Sequence, residues 1–253
     1  MTVKELYKIL DAKIPASLSC EWDNDGLMCC PDGDRQVKKV LVALDVTDKT
    51  VSAAIDGGYD LIVSHHPFIF KGLKSINGEA HVAKNAISLI KNGISVFSFH
   101  TRLDAVEGGV NDTLASLLCL ENVCAFGEGD LGRIGYLPEE VTAEELAVRV
   151  KDALGADGVY LADAQKQCKK VAVLGGGGED FIASAIAAGA DTYISGELKY
   201  HSMTDAPELG INLIQAGHFY TEYPVCNTLC GMIESISPDI KCDIFYSNRI
   251  KLI

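Results

Sequence analysis

The chain has 253 residues, 48% of them hydrophobic, and a formal net charge of −13. That is enough apolar sequence for one large core or two small ones, and the acidic balance disfavours broad binding to nucleic-acid phosphates, which needs clustered Lys and Arg. No apolar run reaches the ~20 residues of a membrane span, Met1-Thr2-Val3-Lys4-Glu5 lacks a signal-peptide core, and nine cysteines without a CxxC pair argue against a disulfide framework or a zinc ribbon and fit a reducing cytoplasm.

Thr2 and Glu5 form a capping-box pattern ahead of a helix that runs to about residue 11. Val37–Ala43 reads as a strand, Asp48–Gly57 as a helix closed by glycine, and Leu61–Ser64 as a second, fully apolar strand. Ala80–Asn92 is helical, Gly93 stops it, and Ile94–Phe99 is a third strand. This order predicts a parallel sheet with right-handed crossovers. The pattern then restarts. Thr142 and Glu145 cap a helix to about Leu154, Lys169–Val173 is a strand, Ala183–Ala188 a helix core, and Asp191–Ser195 and Ile211–Gln215 are strands.

Residues 38–64 align with 169–195 at a constant offset of 131. Lys38, Lys39, Val40, Val42, Ala54, Ile55, Gly58, Asp60 and Ser64 recur as Lys169, Lys170, Val171, Val173, Ala185, Ile186, Gly189, Asp191 and Ser195. Nine identities in 27 positions compare with roughly two for unrelated segments of ordinary composition. The expected fold class is therefore α/β. Two similar halves, 1–127 and 128–253, each hold a mainly parallel sheet flanked by helices, with the C-terminal segment free to pack back on the first half. A ligand site is expected in the crevice between them, because such folds place ligands at strand ends and domain interfaces.

The chemistry concentrates at those strand ends. Ser64-His65-His66-Pro67 follows one apolar strand, His100-Thr101-Arg102-Leu103-Asp104 another, and Gly217-His218-Phe219-Tyr220-Thr221-Glu222 a third. The last two share a His-x-x-x-carboxylate spacing. Imidazoles suit zinc, iron, copper or nickel, and carboxylates can bridge two ions, so His65 and His66, backed by His100, Asp104, His218 and Glu222 at similar strand ends, read as a candidate metal centre. Each has a plainer alternative: Asp104 can cap a turn, Glu222 can favour a helix N-terminus, and one histidine of the pair can be a core residue. His100 can ligate, orient a neighbour or donate a proton as a catalytic group. Glu197 stands at the second copy's version of the SHHP turn, as an orienting base or an exposed carboxylate, and His201 lies nearby. Gly175–Gly178 reads either as an anion-binding turn or as a plain tight turn. Cys29-Cys30 reads as core, and His81 as surface.

At these motifs the chain resembles the GTP cyclohydrolase 1 type 2 family, also described as NGG-interacting-factor-three-like dinuclear metal-centre proteins. Trp22-Asp23-Asn24-Asp25-Gly26-Leu27 and Ala43-Leu44-Asp45-Val46-Thr47 are also similar to that family's segments, as is Gly108-Gly109-Val110-Asn111-Asp112. The resemblance spans nearly the whole chain and is to the short form without an inserted middle domain. It implies two divalent ions per chain (zinc, iron or manganese) held by His65, His66, Asp104, His218 and Glu222. It also implies a homohexamer and a metal-dependent hydrolase acting on a small, phosphate-bearing, nucleotide-like substrate such as GTP. Arg102 stands where the family usually has Asn, and is expected either to meet the substrate anion bidentately or simply to point outward. A non-enzymatic metal-binding or regulatory scaffold that docks a protein partner is the alternative function.

Overall fold

A computed structural model describes residues 1–253. In chain order the elements are α1 (Val3–Lys13), β1 (Gly26–Cys29), β2 (Lys39–Ala43), α2 (Asp48–Asp56), β3 (Leu61–Ser64), α3 (His81–Asn92), β4 (Ser95–Ser98), α4 (Thr101–Ala105), α5 (Val110–Leu117), β5 (Glu121–Phe126) and β6 (Gly132–Val141). They continue as α6 (Ala143–Leu154), β7 (Tyr160–Ala162), β8 (Cys168–Gly177), α7 (Ile182–Ala187), β9 (Thr192–Glu197), α8 (Tyr200–Leu209), β10 (Asn212–Gln215), α9 (His218–Glu222), α10 (Val225–Ile236) and β11 (Lys241–Phe245). Two compact units result, one of Met1–Val106 with Cys226–Asn248 and one of Glu107–Val225 with Arg249–Ile253.

The first unit holds a five-stranded sheet in the order β1-β4-β3-β2-β11. β4, β3, β2 and β11 are parallel, and β1 joins the β4 edge antiparallel. β3 and β4 are buried along their whole length, which is why Leu61-Ile62-Val63 is apolar without alternation. The second unit holds six strands in the order β5-β6-β8-β9-β10-β7. Its three central strands, β8, β9 and β10, are parallel, while β5, β6 and β7 pair antiparallel, so this sheet is mixed. The capping boxes at Thr2 and Thr142 form as the sequence predicts.

The internal repeat extends to individual hydrogen bonds. The Asp60 carboxylate accepts from the backbone N–H groups of Lys38 (2.9 Å) and Lys39 (3.1 Å), and Lys39 Nζ donates to the Gly57 carbonyl at 2.6 Å. In the second copy Asp191 accepts from Lys169 (2.9 Å) and Lys170 (2.7 Å), and Lys170 Nζ donates to the Ala188 carbonyl at 2.6 Å. In each copy the aspartate clamps the start of the first strand, while the lysine ties off the end of the following helix, whose orphan carbonyls need donors. The shared residues are those that close one strand–helix–strand unit.

Burial raises the Asp60 carboxyl, but the Lys38 and Lys39 amides and Arg35 outweigh it and hold it below the ordinary range. A carboxyl depressed in the folded state adds stability above its unfolded value of about 4, and that stability is lost as pH falls through the folded value. Asp60→Asn is therefore expected to lose roughly 1–3 kcal/mol at neutral pH. The difference from the wild-type chain should close on acidification. Urea midpoints of both proteins from neutral pH to acid check this, and a gap independent of pH would refute it.

The cysteines depart from expectation. Cys230 of α10 and Cys242 of β11 are joined as a disulfide, and only Cys168 and Cys226 are buried free thiols. The two paired cysteines lie 12 residues apart, a spacing that carries no CxxC signature.

Candidate metal centre

The three parallel strands β2, β3 and β4 end together, and the chain leaves each of them carrying a polar side chain. The His65 N–H donates to the Ala43 carbonyl and the His66 N–H to the Leu44 carbonyl, which continues the β2–β3 ladder past the strand end. Pro67 then stops it. In consequence His65 is fully buried and His66 partly so. His100, one turn beyond β4, is the residue before α4, and Asp104 lies within that helix.

The ligand-type atoms of His65, His66 and His100 lie within 4.8 Å of one another. Each ring is held through Nδ1. His65 Nδ1 donates to the Phe99 carbonyl (2.9 Å), His66 Nδ1 to Asp45 (2.7 Å) and His100 Nδ1 to Asp23 (2.9 Å). A carbonyl or carboxylate can only accept, so the proton sits on Nδ1 and the lone pair on Nε2. This is how proteins fix the tautomer and direction of metal-binding histidines. Asp104 Oδ1 stands 3.6 Å from His65 Nε2 and adds a carboxylate to the group.

The holders are themselves fixed. Asp23 also accepts from the Thr101 N–H (3.1 Å) and Thr101 Oγ1 (2.7 Å). Burial raises its carboxyl, but the hydrogen bonds from His100 and Thr101 prevail and hold it far below the usual range. Asp45 accepts from Ser247 Oγ at 3.1 Å.

Arg102 does not face outward to meet a substrate anion. Its side chain is 1% exposed, Nη1 donates to Asp11 (2.7 Å) and the Ile14 carbonyl (3.0 Å), and Nε donates to Asp25 (3.0 Å). The guanidinium also lies over the Phe99 ring, 4.8 Å from its centroid. The planar fork is used to tie α1 to the loop ahead of β1. Asp25 in turn accepts the His100 N–H at 3.0 Å, so Arg102 supports the backbone that carries His100.

In the second unit, His218 and Glu222 occupy the first and last positions of α9. His218 Nε2 is 3.1 Å from Glu222 Oε2, and His218 Nδ1 is 3.3 Å from Glu197 Oε1. Glu197 thus stands toward His218 as Asp23 does toward His100. Glu222 is buried in a cradle made by the glycine run. A Cβ on Gly176 would lie 2.1 Å from Glu222 Oε1 and 3.2 Å from His218 Nε2, and one on Gly175 would lie 3.1 Å from Glu222 Cγ. The glycines that suggested an anion site or a tight turn instead make room for a carboxylate. The ladder between β8 and β9 slips at this point, between Leu174 and Gly177.

The His-x-x-x-carboxylate echo is shifted by one residue. His100 is the cap of α4, whereas Gly217 is the cap of α9 and His218 already lies inside the helix. Thr101, not His100, is therefore the positional counterpart of His218. Elsewhere Glu179 gathers Ser202 Oγ (2.5 Å), the Lys199 N–H (2.8 Å) and His201 Nε2 (3.6 Å), which occupies His201 in a surface cluster.

Two imidazole holders, Asp23 and Asp45, carry no spacing signal, because they lie 77 and 21 residues from their histidines. The hydrogen-bonded donors fit a divalent cation: rings whose Nδ1 is held by an acceptor, leaving Nε2 to ligate, and carboxylates to balance charge.

A family model described as Duf34/NIF3 (NGG1p interacting factor 3) matches residues 1–251. The "GTP cyclohydrolase 1 type 2 homolog" of Clostridium perfringens is 35% identical over 251 residues, covering 96% of this chain and 94% of that protein. The protein of the same description from Clostridium acetobutylicum is 36% identical over 234 residues, covering 88% and 86%. Among solved structures, Staphylococcus aureus protein SA1388 superposes with a TM-score of 0.90 at 27% identity, covering 100% of this chain and 99% of that one. Reduced HcgD from Methanocaldococcus jannaschii gives a TM-score of 0.84 at 30% identity, covering 96% and 97%.

Proposed function

Because the chain belongs to the Duf34/NIF3 (NGG1p interacting factor 3) family, we propose that it is a metal-dependent hydrolase of a nucleotide-like, phosphate-bearing small molecule. Its two divalent ions, zinc, iron or manganese, are held by His65, His66, Asp104, His218 and Glu222. The observation that carries this reading is the set of three imidazoles with Nδ1 tied to an acceptor and their ligand-type atoms gathered within 4.8 Å. Core or surface histidines have no reason to share one tautomer and one direction. GTP is the first substrate to test, because the relatives are named for a GTP cyclohydrolase.

A divalent pair, when bound, supplies Lewis acidity and makes water nucleophilic near neutral pH. The protein's own groups set the geometry. Phe99, Asp45 and Asp23 aim three rings, and the cradle at Gly175 and Gly176 fixes Glu222. His100 is the catalytic residue of the proposal, passing a proton at Nε2 while Asp23 holds Nδ1. With Arg102 buried, the substrate phosphate falls to other cations, of which Lys199 is exposed beside Glu179. The reading includes a homohexamer in the cytoplasm, as the family resemblance implies; no helix is long and apolar enough to cross a membrane.

Protein purified without chelators is expected to carry about two metal ions per chain, and His65→Ala to lose at least one together with turnover of GTP or of a phosphoester panel. Elemental analysis and activity assays with zinc, manganese or iron check both. Metal near zero after reconstitution would remove the site. Full metal content with no turnover on any substrate would favour the scaffold function.

A further inference from the structure

Beside the imidazole group of the first unit stand two large aromatic side chains that the metal chemistry does not use. Trp22 is 64% exposed and Phe70 is 47% exposed. Exposed rings of this size are costly unless something covers them. They are also not loose. The residue after Trp22 is Asp23, fixed by His100 and Thr101, and the Cys20 N–H donates to Thr101 Oγ1 at 2.9 Å. Asn24 Nδ2 donates to the Ile69 carbonyl and so pins the Trp22 loop to the residue before Phe70.

The rings are set at near right angles. Trp22 and Phe70 have centroids 6.2 Å apart and planes at 73°. His100 lies 6.1 Å from Trp22 at 78° and 6.3 Å from Phe70 at 85°. Three π systems, each roughly perpendicular to the other two, make a corner with aromatic walls. A flat ring entering that corner stacks its face on one wall and meets the others by edge, the arrangement aromatic quadrupoles favour. An alkyl chain gains only apolar contact there.

We propose that Trp22 and Phe70, with His100, form a stacking corner that takes the planar heteroaromatic ring of a nucleobase and sets it beside the imidazole group. This rests on the function proposed above and deepens it by naming the part of the substrate recognised. The sugar and phosphate play no part in this contact.

Trp22 is the single tryptophan of the chain, so its emission reports the corner directly. The probe is guanosine, which has the base without a phosphate, and the control is ribose 5-phosphate, which has the phosphate without the base. Titrations are followed by absorbance-corrected tryptophan fluorescence and by calorimetry, on the protein as purified and again after metal removal. Guanosine is expected to quench Trp22 saturably and ribose 5-phosphate to leave it unchanged. Phe70→Leu should weaken guanosine binding about tenfold, the size of one base–aromatic stack, and Phe70→Tyr should keep it. Binding that persists in metal-stripped protein supports the corner whatever the fate of the hydrolase reading. Two ions per chain with no preference for guanosine over ribose 5-phosphate would overturn the corner and leave that reading standing. Phe70→Leu binding as tightly as the wild-type chain would also overturn it. So would Trp22→Ala changing the assembly state while guanosine affinity, read by calorimetry, stays the same.

Discussion

Arg102→Ala is expected to destabilise the first unit by about 3–5 kcal/mol, the cost of removing one partner from a buried ion pair. The arginine is 1% exposed and Asp25 5% exposed, so the carboxylate left behind cannot recover its hydration. Asp11 is partly exposed and loses less. The Ile14 carbonyl and the Phe99 ring lose partners as well. Against a typical total of about 5–15 kcal/mol, such a loss threatens folding itself. Arg102→Lys should recover only part of it, because an ammonium cannot meet Asp11, Asp25 and a carbonyl from one planar fork. Urea unfolding of the three proteins measures this. If Arg102→Ala unfolds within 1 kcal/mol of the wild-type chain, the buried network is not what holds α1 against the loop before β1.

The second large effect is expected at Gly176. Its φ of +65° already disfavours any side chain by about 1–2 kcal/mol. The added methyl of Gly176→Ala would also fall 2.1 Å from Glu222 Oε1. The carboxylate must then move, and the metal ligand proposed for the second unit is displaced with it. Melting temperature and metal content should both drop. Gly177→Ala is the control one residue away: its Cβ would meet nothing within 4 Å and its φ is not positive, so both readouts should stay near wild type. Equal behaviour of the two variants would show that the cradle does not position Glu222.

Much of the frame was readable because a few residues speak clearly. Thr2 with Glu5, Gly93, Leu61–Ser64 and the duplicated Lys-Lys-Val segment place helices and strands by capping, chirality and uninterrupted burial. The elements that escaped lack such signals. β5 is mostly exposed and is interrupted by Asn122 at positive φ, so no alternation marks it. β6 begins at a glycine and contains Pro138, and α8 contains Pro207 and has no side-chain cap. α4 and α9 have five residues each, too few to show a period.

The same division holds at the histidines. His65, His66 and His100 stood out because imidazoles follow apolar strands. What fixes their tautomers was not legible, since Asp23 and Asp45 meet them only after folding closes long loops. The setting of Arg102 is hidden from the sequence for a related reason: an arginine beside histidines looks equally available to solvent or to Asp11 and Asp25 until packing decides.

The paired lysine–aspartate fastenings leave the strand ends beyond them free to differ between the two copies. Where 38–64 and 169–195 share their joints, their tips have parted company: His65, His66 and Pro67 correspond by number to Gly196, Glu197 and Leu198. In both copies the same lysine and aspartate contacts close the unit, while the residues that follow the strand differ in chemistry. One copy came to present clustered imidazoles, and the other a lone imidazole between carboxylates. A repeated skeleton thereby carries asymmetric chemistry, with a dissimilar set of side chains at the end of each copy.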